Sequence, residues 1–287
     1  MSGPLCHFAA DLHGSLARYD KLLAAAARER PLALFLGGDL LPGFGGGGQT
    51  ATDGGFLFDA LAPRLERLRS ATAPDPTRVF AILGNDDPRS EEPALRELEQ
   101  RGLLVYAHGS RHPLLDHVVF GYACVPPTPF LLKDWERYDV SRHLDPADVS
   151  PEEGWRTVAL PPGEIRWQTI ALDLAGLTGN EDLSRAIFLF HAPPYGTPLD
   201  RAALDGKMVD HAPLDVHVGS IAIRRFLEAR QPLAALCGHV HESARLTGSW
   251  SVQLGRTVCL QAAHDGPELA LLRFPLDRPG EASRELL

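Results

Sequence analysis

The sequence lacks several features that mark other classes of protein. No run of 18 apolar residues occurs in its 287 residues, so we expect no membrane-spanning helix. Its four cysteines form no C-x-x-C pair, and Cys6, Cys237 and Cys259 lie in apolar, strand-like segments. The first ten residues lack the basic and apolar regions of a signal peptide. We therefore expect a cytoplasmic protein with reduced, buried thiols.

Positive charge is scarce, and a familiar nucleophile motif is missing. The chain has 28 Lys and Arg against 37 Asp and Glu, which gives a net charge of −9. Nucleic-acid binding depends on clustered basic side chains, so no specific binding of this kind is expected. No G-x-S-x-G segment presents a serine nucleophile. Bound divalent cations would neutralise part of the acidic excess.

What the sequence does contain is a series of apolar runs, each followed at once by polar side chains. The runs occupy residues 4–10, 31–36, 78–83, 187–190 and 232–237. The polar residues that follow them are Asp11 with His13, Asp39, Asn85, His191, and His239 with His241. In an open α/β sheet, ligand-binding groups gather beyond the carboxyl ends of the strands. We therefore expect these side chains to converge on one crevice.

The spacing and chemistry of these residues indicate a metal site. Asp11 and His13 are two residues apart, as are His239 and His241, and such pairs point to the same side of an extended chain. Carboxylate, amide and imidazole groups suit hard to borderline divalent cations. Seven groups are too many for one ion and suit two. Any single cluster could instead be turn or capping chemistry.

The ordered set D-x-H, G-D, G-N-x-D, H and G-H-x-H resembles the calcineurin-like metallophosphoesterase superfamily, over roughly residues 5–262. Residues 187–242 also resemble a less characterised bacterial branch of it. The resemblance implies an α/β fold in which two mixed sheets pack as a sandwich between flanking helices. It implies a first metal ion on Asp11, His13, Asp39 and His241. It implies a second ion on Asn85, His191, His239 and the shared Asp39. The ions would be Mn²⁺, Fe or Zn²⁺.

One position departs from the family pattern. The family often has a histidine where this chain has Asp86, and that histidine is a proposed general acid. Asp87 matches the acidic residue that normally orients it. A carboxyl group beside two dications stays ionised, so Asp86 is a poor proton donor. His217 or water are the other candidates for protonating the leaving group.

The resemblance implies a hydrolase of phosphate esters, either a phosphodiesterase or a phosphatase, in which a metal-bridging hydroxide attacks phosphorus. The partner would be a small phosphorylated substrate, and the oligomeric state stays open. One alternative is a catalytically weak or inactive interaction protein on the same fold, because a fold alone does not establish catalysis. The other is a two-metal hydrolase of a non-phosphate bond.

The chain reads as a single domain over residues 1–275, with an insertion at about 125–185 and a frayed polar tail at 276–287. Helices are predicted at about 15–29, 55–70, 92–102 and 221–230, with short ones beginning near Ser150 and Asn180. Residues 244–274 alternate like strands of a second sheet with antiparallel pairs. The glycine-rich segment 43–50 is interpreted as a flexible loop or lid.

The insertion offers basic and aromatic side chains. Lys133 and Arg137 could pair with a phosphate or an acidic substituent of the substrate and so control substrate choice. Trp135 could contact a base; alternatively, Trp135 and Phe130 anchor the segment by packing. His108, His112 and His117 show no ligand spacing, so we expect them on the surface.

Overall fold

The computed structural model describes residues 3–43 and 55–287. Fourteen strands lie within these residues: β1 (Leu5–Ala9), β2 (Ala33–Gly37), β3 (Arg78–Ile82), β4 (Val105–Tyr106), β5 (Arg111–Leu114), β6 (His117–Tyr122), β7 (Ala186–Phe190), β8 (Met208–Val209), β9 (Ala212–Pro213), β10 (Ala234–Cys237), β11 (Ser251–Leu254), β12 (Thr257–Gln261), β13 (Ala270–Pro275) and β14 (Ser283–Leu286). The same ranges contain seven α-helices: α1 (Leu16–Glu29), α2 (Ala62–Ala71), α3 (Glu92–Gln100), α4 (Pro162–Trp167), α5 (Ile170–Thr178), α6 (Ile221–Arg230) and α7 (Ser243–Thr247). Apart from Gly43, the glycine-rich segment interpreted as a lid lies outside the described residues.

The first sheet is built from the strand–helix repeats at the start of the chain. Its strand order is β14-β13-β1-β2-β3-β4, with β1 to β4 parallel and the β13 and β14 pairs antiparallel. Helices α1, α2 and α3 connect the parallel strands, as parallel pairing requires. The side chain of Ser15 accepts the backbone N–H of Arg18 and caps α1. Pro63 lies in the first turn of α2. A π-helical segment, Phe56–Leu61, precedes it and divides the predicted helix.

The second sheet has the order β11-β12-β10-β7-β6-β5. Its four inner strands are parallel, and its two edge strands are antiparallel to their neighbours. Helix α6 connects β7 to β10 and is capped by the side chain of Ser220. The predicted antiparallel strands of 244–274 are present, but β13 joins the first sheet rather than the second.

The two sheets pack face to face around one aromatic core. Strand β2 contacts β7, and β3 contacts β6. Phe35 stacks on Phe80 within the first sheet, and Phe120 stacks on Phe188 within the second. All four rings are fully buried. The predicted fold, two mixed sheets in a sandwich with flanking helices, is confirmed.

The insertion differs from its prediction in its helices. Within residues 125–185, all of which the structure describes, no helix begins near Ser150 or Asn180. Turns occupy both places. The helices are α4 and α5 instead, and the side chain of Thr169 caps α5. Helix α5 packs against α6, so an apolar face of the insertion is buried on the main domain. Tertiary contact decided these boundaries more than the capping residues did.

The side chains of the insertion are also placed differently. Trp135 is fully buried, and its indole N–H donates to the carbonyl of Asp87 at 2.9 Å, so it anchors the segment as predicted. Phe130 is 61% exposed, and its predicted anchoring role is wrong. Lys133 is fully buried and ion-paired with Glu136 at 2.5 Å. The prediction that Lys133 reaches a substrate is therefore wrong, because its ammonium group is closed off from solvent.

Two further expectations need correction. The end of the chain does not fray: Ser283–Leu286 pairs with β13 as an edge strand, where charged side chains are well tolerated. His117 is not a surface residue, because it begins the buried strand β6 and its side chain is 1% exposed. Within the described ranges, none of the helices combines the length and apolarity that crossing a bilayer demands.

Candidate metal centre

The seven predicted ligands follow five parallel strands whose carboxyl ends meet at one edge of the sandwich. Asp11, Asp39 and Asn85 follow β1, β2 and β3 of the first sheet. His191 and His239 follow β7 and β10 of the second sheet. The sheets are joined here directly, because Nδ1 of His191 lies 2.8 Å from the carbonyl oxygen of Gly37. Donation from Nδ1–H to this carbonyl leaves Nε2 facing the ligand cluster.

The first predicted metal set is assembled in the structure. One ligand atom from each of its members lies within 4.8 Å of the others: Asp11, His13, Asp39 and His241. The Nε2 atoms of His13 and His241 are 3.3 Å apart, and Nε2 of His241 is 3.3 Å from Oδ1 of Asp11. Nε2 of His13 lies 3.9 Å from Oδ2 of Asp39. Four donor atoms therefore surround one small volume, as a divalent ion requires.

The second predicted set meets the first at Asp39. Nε2 of His191 lies 3.3 Å from Oδ2 of Asp39 and 3.0 Å from Oδ1 of Asn85. The ring of His239 stands against that of His191, with centroids 5.1 Å apart. The same oxygen of Asp39 thus faces His13 on one side and His191 on the other. Asp39 therefore contacts one member of each predicted ligand set.

Four of these residues have left-handed backbone conformations, which non-glycine residues seldom adopt. Their φ angles are positive, at 55° for Asp11, 45° for His13, 49° for Asp39 and 77° for His239. Hydrogen bonds between the loops hold the strained backbone: Asp11 N–H donates to Gly38 at 2.9 Å, and His13 N–H donates to the Asp39 carbonyl at 2.8 Å. Such strain is concentrated at functional sites, where the surrounding structure holds it in place.

The approach of the two sheets depends on a glycine. A Cβ atom at Gly84 would lie 2.3 Å from Oδ1 of Asp39 and 2.6 Å from Nε2 of His191. Neither side chain could move aside without leaving the cluster. Glycine at this position lets the backbone of the β3 loop pass directly behind both groups.

The charges of the cluster depend on one another. Burial lowers the pKa of His191, but the negative charge of Asp39 outweighs it and raises the pKa to about 9. Burial would raise the pKa of Asp39, yet the charges of His191 and His13 hold it well below its usual range. Burial lowers the pKa of His239 to about 3. A proton on His191, but not on His239, thus balances the charge of Asp39 in the metal-free protein.

The donor set fits divalent metal ions. Oδ2 of Asp11 is buried and has no hydrogen-bond partner among the described residues. A buried carboxylate oxygen without a partner is costly, and a cation would remove that cost. Mixed nitrogen and oxygen donors suit Mn²⁺, Fe or Zn²⁺ and do not select one of them.

The two predicted catalytic aspartates are placed differently from each other. The carboxylate of Asp87 is fully buried and accepts the backbone N–H groups of Leu40, Leu41 and Gly84, at 2.8 to 3.0 Å. It therefore holds the β2 and β3 loops together. Burial raises its pKa. Asp86 is 44% exposed, and its backbone N–H donates to Oδ1 of Asp39 at 2.9 Å.

His217 lies in the long loop that follows His191. Its Nδ1 is 2.8 Å from Oδ1 of Asp200, and its side chain is 32% exposed. Among the residues with described positions, no hydrogen bond or ion pair joins His217 to the ligand cluster. Asp200 is not among the functional residues predicted from the sequence. The sequence feature that points to it is the capping box of TPLD, in which the Asp200 carboxylate accepts a hydrogen bond from the Thr197 N–H.

The comparisons with known proteins agree with this fold. Residues 7–243 match the family model described as calcineurin-like phosphoesterase. The solved structure of a Thermus thermophilus protein is similar, with a TM-score of 0.55, 16% identity and 99% of both chains covered. A dimetal phosphatase from Danio rerio has a TM-score of 0.50 and 13% identity, over 95% of this chain and 92% of that one. No protein of curated function matches the sequence. This chain belongs to the calcineurin-like phosphoesterase family.

Proposed function

We propose that the protein hydrolyses phosphate esters of small molecules and binds two divalent ions per chain. The observation that carries the proposal is the position of Asp39, whose Oδ2 faces His13 at 3.9 Å and His191 at 3.3 Å. A carboxylate between two imidazole-bearing clusters is suited to bridge two ions. The dimetal phosphatase from Danio rerio, which shares the fold, supports the same assignment.

The chain would hold each ion with a different set of side chains. The first ion would be held by Asp11, His13, Asp39 and His241, whose donor atoms lie within 4.8 Å of one another. The second would be held by Asn85, His191, His239 and the shared Asp39. When bound, two such ions acidify a water and offset the charge that develops on a phosphoryl group. The protein supplies the fixed geometry through the strained loops around the cluster.

His217 is the proposed proton donor to the leaving oxygen. The carboxylate of Asp200 binds its Nδ1, which leaves Nε2 to carry the proton that is transferred. The loop that carries His217 is tied to the segment of His239 and His241. The amide of Gln261 donates to the carbonyls of both Leu199 and Val240, at 3.2 Å each.

We infer the substrate class from Asp86, which stands where the family often has a histidine. Because Asp86 is a poor proton donor, the protein would favour phosphodiesters, or monoesters with good leaving groups. We also propose a cytoplasmic location. All four cysteines are free and buried, as expected of reduced thiols.

The direct test is hydrolysis after controlled metal loading. The protein is freed of metal with a chelator, reloaded with Mn²⁺ or Zn²⁺, and assayed on bis-p-nitrophenyl phosphate and p-nitrophenyl phosphate. We expect turnover of at least one ester only after reloading. A metal-loaded protein that hydrolyses neither ester would contradict the proposal.

A further inference from the structure

Asp86 contacts two of the predicted ligands. Its Oδ2 lies 3.3 Å from Nδ1 of His13, and its backbone N–H donates to Oδ1 of Asp39 at 2.9 Å. His13 therefore has a partner at each nitrogen. Nδ1 faces Asp86, while Nε2 faces His241 at 3.3 Å and Asp39 at 3.9 Å.

Gly43, in the loop that follows β2, leaves room for this contact. A Cβ atom at Gly43 would lie 2.6 Å from Oδ2 of Asp86, the oxygen that faces His13. Any larger residue at position 43 would push the carboxylate off the imidazole. Gly43 thus leaves the space that the Asp86 carboxylate occupies beside His13.

We infer that Asp86 is a positioning residue for His13, an inference that rests on the proposed metal-dependent function. Its carboxylate accepts the proton on Nδ1, so the neutral imidazole keeps its lone pair on Nε2, directed at the first ion. A carboxylate behind a ligating histidine fixes the tautomer and the ring orientation and makes the ligand more basic. The residue in place of the family histidine thus serves the metal ion rather than the leaving group.

The inference predicts an asymmetry between the two ions. Asp86 supports His13, which belongs to the first set alone. The second set has its own support, because the carbonyl of Gly37 accepts from Nδ1 of His191. Loss of the Asp86 carboxylate should therefore lower the affinity for the first ion and leave the affinity for the second unchanged. The backbone N–H that donates to Asp39 survives any side-chain substitution.

The experiment is a titration of the full-length, metal-free protein with Mn²⁺, and in parallel with Zn²⁺, in which calorimetry measures the affinity of each site. Asp86→Ala should weaken one of two sites about 10- to 100-fold, the range for loss of such a partner. Asp86→Asn keeps an acceptor oxygen and should lose less. Asp20→Ala, which removes an exposed carboxylate paired with Arg64, is the matched control and should bind like the wild type.

A second comparison separates support of His13 from direct binding of the ion. In a His13→Ala background, Asp86→Ala should cause no further loss of affinity, because the two residues act as one unit. An equal loss in both backgrounds would overturn the positioning role, and so would wild-type affinities in Asp86→Ala. A wild-type protein that binds neither Mn²⁺ nor Zn²⁺ in this titration would overturn the proposed function together with this inference. Thermal unfolding of each metal-free variant shows that it is folded.

Discussion

The Nε2 atoms of His13 and His241 lie 3.3 Å apart, although the two residues are separated by 228 positions in the sequence. At this distance the two nitrogens can share a proton, and a cation bound by both would also bring them this close. Burial lowers the pKa of each, but the contact of His13 with Asp86 and that of His241 with Asp11 outweigh it, so both pKa values are raised. Protons and metal ions therefore compete for the same positions.

This competition predicts how the stability of the metal-free protein depends on pH. Burial lowers the pKa of His191, but Asp39 raises it from 6.5 to about 9 in the folded state. The protonated imidazole stabilises the fold below the lower value, and this contribution is lost as pH rises through the higher one. Urea unfolding of chelator-treated protein at about pH 6 and about pH 9.5 should show lower stability at the higher pH. Equal stability at both would contradict the ion pair.

Gly84→Ala should abolish metal binding and also lower the stability of the fold. In Gly84→Ala the new Cβ would lie 2.3 Å from Oδ1 and 2.5 Å from the backbone nitrogen of Asp39, and 2.6 Å from Nε2 of His191, so the loops that carry these ligands would have to move apart. Gly163→Ala is the control, because a Cβ there meets nothing within 4 Å. Metal content and thermal unfolding of both variants give the answer. Wild-type metal content in Gly84→Ala would rule out this packing.

Removal of the buried ammonium of Lys133 should lower stability rather than change substrate affinity. Lys133 and Glu136 are both fully buried at their side chains, with 2.5 Å between the charged groups. Lys133→Met would leave an unpaired buried carboxylate, at a cost of about 3–5 kcal/mol. Denaturant unfolding measures this loss. A variant of normal stability with a raised KM would instead support contact with the substrate.

The role of His217 is tested by a series of leaving groups. His217→Gln should slow esters with poor leaving groups by about 10²–10⁴-fold, the contribution of a positioned acid, and p-nitrophenyl esters much less. Asp200→Asn should have the same selectivity, because Asp200 holds Nδ1. His211→Gln, in the same loop and exposed, is the control. An equal effect of His217→Gln on every ester would exclude proton donation.

The ligand cluster could be predicted from the sequence because its residues follow strands that are recognisable by themselves. Asp39 comes after a fully buried five-residue strand, and a parallel strand fixes where its carboxyl end lies. The contact between Asp86 and His13 could not be predicted. It depends on the left-handed turn at His13 and on the space left by Gly43, and neither is visible in local sequence patterns.

The insertion was less predictable for a related reason. Lys133 reads as a solvent-exposed base, and only the fold shows that Glu136 and the carbonyl of Thr128 enclose its ammonium. Capping residues near Ser150 and Asn180 predict helices there, but short helices depend on packing more than on caps. Helix α5 forms where its side chains meet α6, ten residues before the predicted start at Asn180.

The most direct test of the whole account is the metal content of Asp39→Ala beside that of the wild type. Both are loaded with Mn²⁺, freed of excess metal by gel filtration and analysed by elemental mass spectrometry, with Asp20→Ala as control. The account predicts two equivalents per chain in the wild type and the control, and loss of both in Asp39→Ala, because Oδ2 of Asp39 faces both ligand sets. Retention of one full equivalent in Asp39→Ala, with normal hydrolysis, would contradict the shared carboxylate.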